Sequence, residues 1–278
     1  MSPRSAKMST GLWLMEGEGS IGRITKESID RIKEYPEVNE VAISGLTQET
    51  FDYFVTTYGG QFETILFWKC PLVEDLRTLE FLMELKYLVY FWNQRAVRLW
   101  DFSKTAGLKG FAYDDFTRMH DISQIASTHS LEELHLGNRI WTKYVIESLK
   151  PLEHMHTIRH LSMSAKKIID QRIEPIAGLV NLESLDFPSN LFATEQVAWL
   201  KAHLSTAVQS ERLHAYWQIG NPITMGKKNK DTFIVGKGKP FLDSKLEKDR
   251  IDKYVHQFNA MYHWYVANPE AKPEEYRA

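Results

Sequence analysis

The chain has one cysteine in 278 residues, Cys70, so it can hold no internal disulfide. Disulfides belong to oxidising compartments, and many secreted repeat proteins carry disulfide-bonded caps, so a cytoplasmic protein is expected. An excess of charge is also missing. Lys and Arg number 34 against 36 Asp and Glu, a formal net charge of −2, which gives no global attraction to nucleic acid or anionic membrane. No run approaches the roughly 18 apolar residues of a membrane span. The start, MSPRSAKMSTGLWLMEGEG, has no apolar stretch of signal-peptide length. Neither an H-E-x-x-H motif nor a G-x-S-x-G elbow occurs, which removes two common hydrolase signatures.

What the chain does have is repetition. A short pattern returns seven times: apolar, two variable, apolar, one variable, apolar. It reads VNEVAI from Val38, FETILF from Phe62, LKYLVY from Leu85, LKGFAY from Leu108, LEELHL from Leu131, IRHLSM from Ile158 and LESLDF from Leu182. The starts are 24, 23, 23, 23, 27 and 24 residues apart. A period of about 20–29 residues marks a solenoid, in which each unit buries its apolar face only against its neighbours.

These residues resemble the leucine-rich repeat family, in an irregular form like cytosolic bacterial members. The resemblance covers about Val38 to Ser205. It implies an α/β solenoid, with parallel strands on the concave face and helices or irregular returns on the convex face, used mostly to bind proteins. It implies no catalytic residue. The family places Asn or Cys at the ninth position, where the side chain bonds neighbouring backbone. Here that position holds Leu46, Cys70, Asn93, Phe116, Arg139, Lys166 and Asn190, so only Cys70, Asn93 and Asn190 conform and the turn ladder is incomplete.

Between the strands, Phe51, Phe54 and Val55, then Leu72, Leu76, Leu79 and Leu82, then Ile146 and Leu149, then Val197, Leu200 and Leu204 are spaced as convex-side helices. Arg95 to Gly107 reads as an irregular or 3₁₀ return. The expected division is residues 1–37 as a loose start and N-terminal cap, 38–212 as repeats and 213–278 as a C-terminal cap. In the first, Leu12 to Leu14 with Ile21 and Ile24 reads as a strand or hairpin, and Ser28 to Tyr35 as a helix before Pro36. In the last, LHAYW and DTFIVGKGKPFL read as strands around a Gly220-Asn221-Pro222 turn. Ser244 and Glu247 form a capping-box pattern. It precedes an amphipathic helix through Ile251, Tyr254, Val255, Phe258, Met261, Tyr262 and Tyr265. Asn268 to Ala278 is expected to fray.

Alternation along a strand puts positions one, four and six in the core and three, five and seven outward, with eight often joining them. The second and third repeats then expose Leu66, Trp68, Tyr87, Val89, Phe91 and Trp92. Exposed clusters rich in Trp and Tyr mark interaction sites. Further along the same face come Asp114 and Asp115, Glu133 and His135, His160, and Asp186. The set suits a protein partner with an apolar anchor flanked by Lys or Arg. Its acidity disfavours nucleic acid.

Two other readings use the same residues differently. His135 and His160 on neighbouring strands, with Glu133 and Asp186 near, could hold a metal or act as an acid–base pair. Solvated polar residues account for them without a metal, and no cofactor is expected. Lys227, Lys228, Lys230, Lys237 and Lys239, with Phe233 between, could touch nucleic acid. A solvated hairpin accounts for that patch better, because downstream acids such as Glu247 and Asp249 dilute its field. Cys70 reads as a small residue facing a tight turn.

Overall fold

The computed structural model describes residues 11–14, 22–138, 144–225 and 228–276. Ile21, Arg139 and Lys227, and the side chain of Lys228, lie outside the described residues.

In chain order the strands are β1 (Leu12–Leu14), β2 (Glu40–Ser44), β3 (Thr64–Trp68), β4 (Tyr87–Asn93), β5 (Gly110–Phe116), β6 (Glu133–Gly137), β7 (Val145–Ile146), β8 (His160–Met163), β9 (Lys167–Ile168), β10 (Ser184–Asp186), β11 (Tyr216–Met225), β12 (Lys228–Ile234) and β13 (Phe241–Leu242). Eight of them form one sheet, ordered β1-β2-β3-β4-β5-β6-β8-β10. Every pairing in it is parallel. The fold is a leucine-rich repeat solenoid.

The repeat fixes the register. Val41, Ile65, Leu88, Phe111, Leu134, Leu161 and Leu185, all at position four, stand side by side. Apart from half-buried Val38, every side chain at positions one, four and six is buried. A slip of one residue would turn these rows to the opposite face. Aromatic packing fills the middle repeats: Phe67 lies 5.0 Å from Tyr90, and Tyr90 lies 5.0 Å from Phe116. Along position two runs an ionic row. Lys86 pairs with Glu63 at 2.5 Å, Lys109 with Glu132 at 3.7 Å, and Arg159 with both Glu132 and Glu183. Exposed pairs of this kind add little stability, but opposite charges on adjacent strands favour the observed register.

The returns are tighter than the spacing implied. Gln48–Thr57 forms helix α2 (α1 is Lys26–Asp30), with Phe51, Phe54 and Val55 buried. The Leu72 to Leu82 return is instead a 3₁₀ turn over Arg77–Phe81. Ile146 sits in β7, and the turn after Leu149 is 3₁₀ as well. Helix α2 sits in a repeat of 24 residues and these turns in repeats of 23 and 27, so repeat length alone does not set the form of the return. The 3₁₀ turn Phe102–Lys104 matches the irregular return expected there. Two more helices follow, α3 (Glu174–Ala177) and α4 (Thr194–His203).

Position eight carries a repeated backbone feature. Gly45, Lys69, Trp92 and Asp115 have φ of 70°, 52°, 66° and 58°, so the first four repeats leave the sheet through a left-handed residue. At Gly45 a Cβ would run into the Gly22 carbonyl. The other three tolerate a conformation that L side chains rarely adopt. The ninth position divides accordingly. Asn93 Nδ2 donates to the Cys70 and Val73 carbonyls, and its Oδ1 accepts from the Arg95 and Ala96 amides. Leu46, Cys70 and Phe116 fill the same row with buried apolar bulk. Asn190, which fits the family pattern, is exposed. Burial pushes the Cys70 thiol up to about 12.

The N-terminal strand is as expected, while the C-terminal unit departs in detail. β1 pairs in parallel with β2, Trp13 beside Ala42. At the other end Gln209 bridges to Ser184 beyond β10. Gly220, Asn221 and Pro222 lie inside β11, at a register shift between Gln218 and Ile223, instead of forming the turn. Leu213, His214 and Ala215 precede the strand. Helix α5 (Lys248–Ala267) buries Ile251, Phe258 and Tyr265. The helix starts at Lys248 with Glu247 as its N-cap residue and no side-chain cap bond, so the Ser244 pattern does not cap it; in the turn before it Asp243 Oδ1 accepts the Lys245 and Leu246 amides, while Glu247 Oε2 accepts the Asp243 amide. Ser244 donates instead to Asp231. Over the described residues 268–276 the last segment is docked, not frayed. Trp199 Nε1 donates to the Ala271 carbonyl at 2.7 Å, Tyr265 Oη to the Pro273 carbonyl at 2.7 Å, and the Tyr276 amide to Glu195 at 2.9 Å. Among the described residues, no helix is long and apolar enough to cross a membrane.

Candidate functional site

The outward positions of the sheet form three rows. Position five runs Trp13, Ala42, Leu66, Val89, Ala112, His135, Ser162 and Asp186. Position seven runs Ser44, Trp68, Phe91, Asp114 and Gly137. Position three runs Glu40, Thr64, Tyr87, Gly110, Glu133, His160 and Ser184.

The structure brings the six apolar candidates together. Trp68 and Phe91 stack with centroids 4.3 Å apart, and Lys69 Nζ lies 5.8 Å from the Trp68 ring. Leu66, Val89, Tyr87 and Trp92 are half-buried around them. They are less exposed than alternation implies. Strands about 4.8 Å apart crowd their side chains, and the large rings shelter the small ones, so Ala42 and Ala112 vanish beneath them. Trp92 is held at its left-handed position with Nε1 buried and unpartnered.

The acidic end needs correction. Asp114 and His135 do not stand in solvent. Each is 7% exposed, and His135 Nε2 meets Asp114 Oδ1 at 3.0 Å. The pair fits because position seven of the next repeat is Gly137, where a Cβ would strike both groups. His135 Nδ1 is buried without a partner. Asp115 is fully buried and leaves the surface set. Glu133 and His160 are half-buried neighbours, and His160 Nδ1 lies 2.8 Å from Ser184 Oγ. Asp186 is half-exposed and meets Arg212 Nε at 3.3 Å.

His135 and His160 therefore belong to separate contacts. Among the described residues, no group of three or more His, Cys, Asp or Glu could hold a metal. The described lysines of the C-terminal unit also diverge. Lys237 donates to Gln171, while Lys239 lies over Tyr254. Phe233 has both ring faces covered, by Trp217 at 5.0 Å and Phe241 at 3.9 Å, so it offers no open face to a base.

Two contributors escaped the sequence. Trp13, 56% exposed, joins the position-five row through β1. Its only signal is the Leu12-x-Leu14 doublet, because position one of that unit is polar Ser9. Arg212 borders the far end, bonding Asp186 and the Phe187 carbonyl under the Trp217 ring. It follows the repeats, where their period gives no register.

No family model and no curated protein matches the chain. Among solved structures it is similar to an internalin, inlF, of Listeria monocytogenes strain 4b F2365, at 15% identity and a TM-score of 0.40, covering 67% of this chain and 64% of that one. It is also similar to internalin C2 of the same strain, at 16% identity and a TM-score of 0.40, covering 68% of this chain and 79% of that one. The chain thus spans just under two thirds of the first neighbour. The fold assignment rests on the repeats and the parallel sheet of this protein itself.

Proposed function

We propose that this protein is a noncatalytic module that binds a partner protein through its concave face. The observation that carries the reading is the Trp68–Phe91 stack, half-exposed among Leu66, Tyr87, Val89 and Trp92. A sheet face of this composition loses contact with water on binding and offers the side chains most often found as hot spots. The rows beyond it, through Glu133, His160 and Asp186, supply polar contacts at its margin. Asp114 and His135 support that margin from beneath.

The work is assigned to a reducing compartment, the cytoplasm, where a single buried thiol and a cap closed by aromatic packing need no disulfide. The test is capture of the native partner by the purified protein beside a Trp68→Ala, Phe91→Ala variant shown to be folded at the temperature of the assay. Loss of capture by the variant supports the reading. Undiminished capture moves the site elsewhere.

A further inference from the structure

The two rims of the sheet carry charge differently. Where the strands begin, position two sets opposite charges on adjacent repeats: Lys86 beside Glu63, Lys109 beside Glu132, and Arg159 beside Glu132 and Glu183. Where they end, position eleven sets like beside like. Arg95 and Arg118 hold it in the third and fourth repeats, two residues past the paired Asn93 and Phe116. Their backbones therefore lie about 5 Å apart, one strand spacing. Both side chains are exposed. Lys69, at position eight of the second repeat, continues this rim, with Nζ 5.8 Å from the Trp68 ring. Among the described residues, Lys69, Arg95 and Arg118 make no ion pair. The acids of the same turns are engaged elsewhere: Asp75 with Arg77, Asp121 with Ser123, and Asp114 with His135. Asp115 is fully buried, and exposed Glu74 forms no ion pair with the three cations. Like charges on adjacent strands destabilise a sheet, and a bound carboxylate removes that repulsion by accepting from both.

We propose, resting on the concave-face reading, that the partner protein docks an acidic segment on this rim. An apolar side chain of the segment seats on the Trp68–Phe91 stack, and carboxylates next to it engage Arg95 and Arg118, with Lys69 alongside. The rim is continuous with the aromatic patch. Trp68 immediately precedes Lys69, and the strand that holds Phe91 runs out toward Arg95. Trp92, between them, has its Nε1 buried without an acceptor. A guanidinium takes a carboxylate through two parallel N–H···O bonds, which fixes orientation as well as adding attraction. At the other end of the face the acids are already held, Asp114 by His135 and Asp186 by Arg212. The cationic rim is therefore the charged feature beside the patch that is open to a partner. A nucleic-acid strand fits it less well, because base stacking needs open ring faces and Trp68 and Phe91 cover one another.

The probe is a labelled peptide in which a pair of leucines is followed by a run of glutamates. One control replaces the glutamates by lysines, and a single-stranded oligonucleotide of equal charge is the second. Binding to the full chain is read by fluorescence anisotropy. The glutamate peptide should bind at least about tenfold more tightly than the lysine peptide, and added salt should weaken it. Arg95→Gln with Arg118→Gln, which removes charge alone, should abolish the preference. Arg95→Glu with Arg118→Glu should reverse it. Lys104→Glu, an exposed cation on a convex return, should leave it unchanged. Failure of the glutamate peptide to bind overturns the proposal. So does equal binding of the two peptides, tighter binding of the oligonucleotide, or indifference to the glutamine pair in a variant that melts normally. Trp68→Ala separates this failure from that of the concave-face reading. If it weakens both peptides alike while their charge makes no difference, the rim proposal alone falls. If neither Trp68→Ala nor the arginine variants change binding, both fall.

Discussion

Trp68 and Phe91 stack nearly face to face, their planes 20° apart, because parallel pairing sets position seven of one repeat directly beside position seven of the next. Neither ring is in the core. Replacing both by Ala should cost folding only about 1–2 kcal/mol, the value of a half-buried aromatic pair. If they are hot spots, it should cost binding about 2 kcal/mol or more. Melting and capture measured on the same sample check this. Lost stability with retained capture would show that the rings serve the fold alone.

Asn93 is the one ninth-position side chain among the described residues with four backbone partners. It is 1% exposed. Asn93→Ala should destabilise the protein by about 3 kcal/mol or more, since several buried backbone groups lose their partner together. Denaturant unfolding measures it. A loss below about 1 kcal/mol would mean that the turn satisfies itself without the amide.

Removing residues 269–278 should lower the melting temperature. The deletion orphans Trp199 Nε1 and takes from Tyr265 and Glu195 their partners in the tail. A cost of about 2–4 kcal/mol follows from two or three such bonds. An unchanged melting curve would show the docked tail to be energetically idle.

The Tyr53 and Tyr58 hydroxyls donate to Asp30 Oδ1 at 2.5 and 2.6 Å and hold its carboxyl at about 2, below its ordinary 3.8. A depressed carboxylate stabilises above the unfolded value, and that contribution is lost as pH falls through the folded one. Asp30→Asn should therefore be less stable than the parent at neutral pH. The difference should shrink between about pH 4 and pH 2. A difference that stays constant over that window contradicts the assignment.

The solenoid was legible because its signal is repeated. The apolar triplet recurs in seven units, so the rows through Leu134 and Phe187 need no long-range inference. The aromatic patch followed from the same alternation, since Trp68 and Phe91 share one phase. What escaped depends on neighbours that no local pattern names. Position seven predicts where Asp114 points, but its burial needs His135 beside it and the missing side chain of Gly137. The capping-box pattern at Ser244 failed because Asp231 takes the hydroxyl and the Glu247 side chain turns back to the Asp243 amide. Pro222 and Gly220 read as a turn, yet an edge strand tolerates both at a bulge. The tail looked too polar to pack, but its docking uses main-chain carbonyls, which composition does not reveal.

The central claim is that the partner meets the concave face. A photoreactive residue placed in turn at Val89, at Asp186 and at Met83, with the native partner added, tests it most directly. Val89 and Asp186 should crosslink and Met83 should not. Crosslinking from Met83 with none from Val89 would contradict the claim.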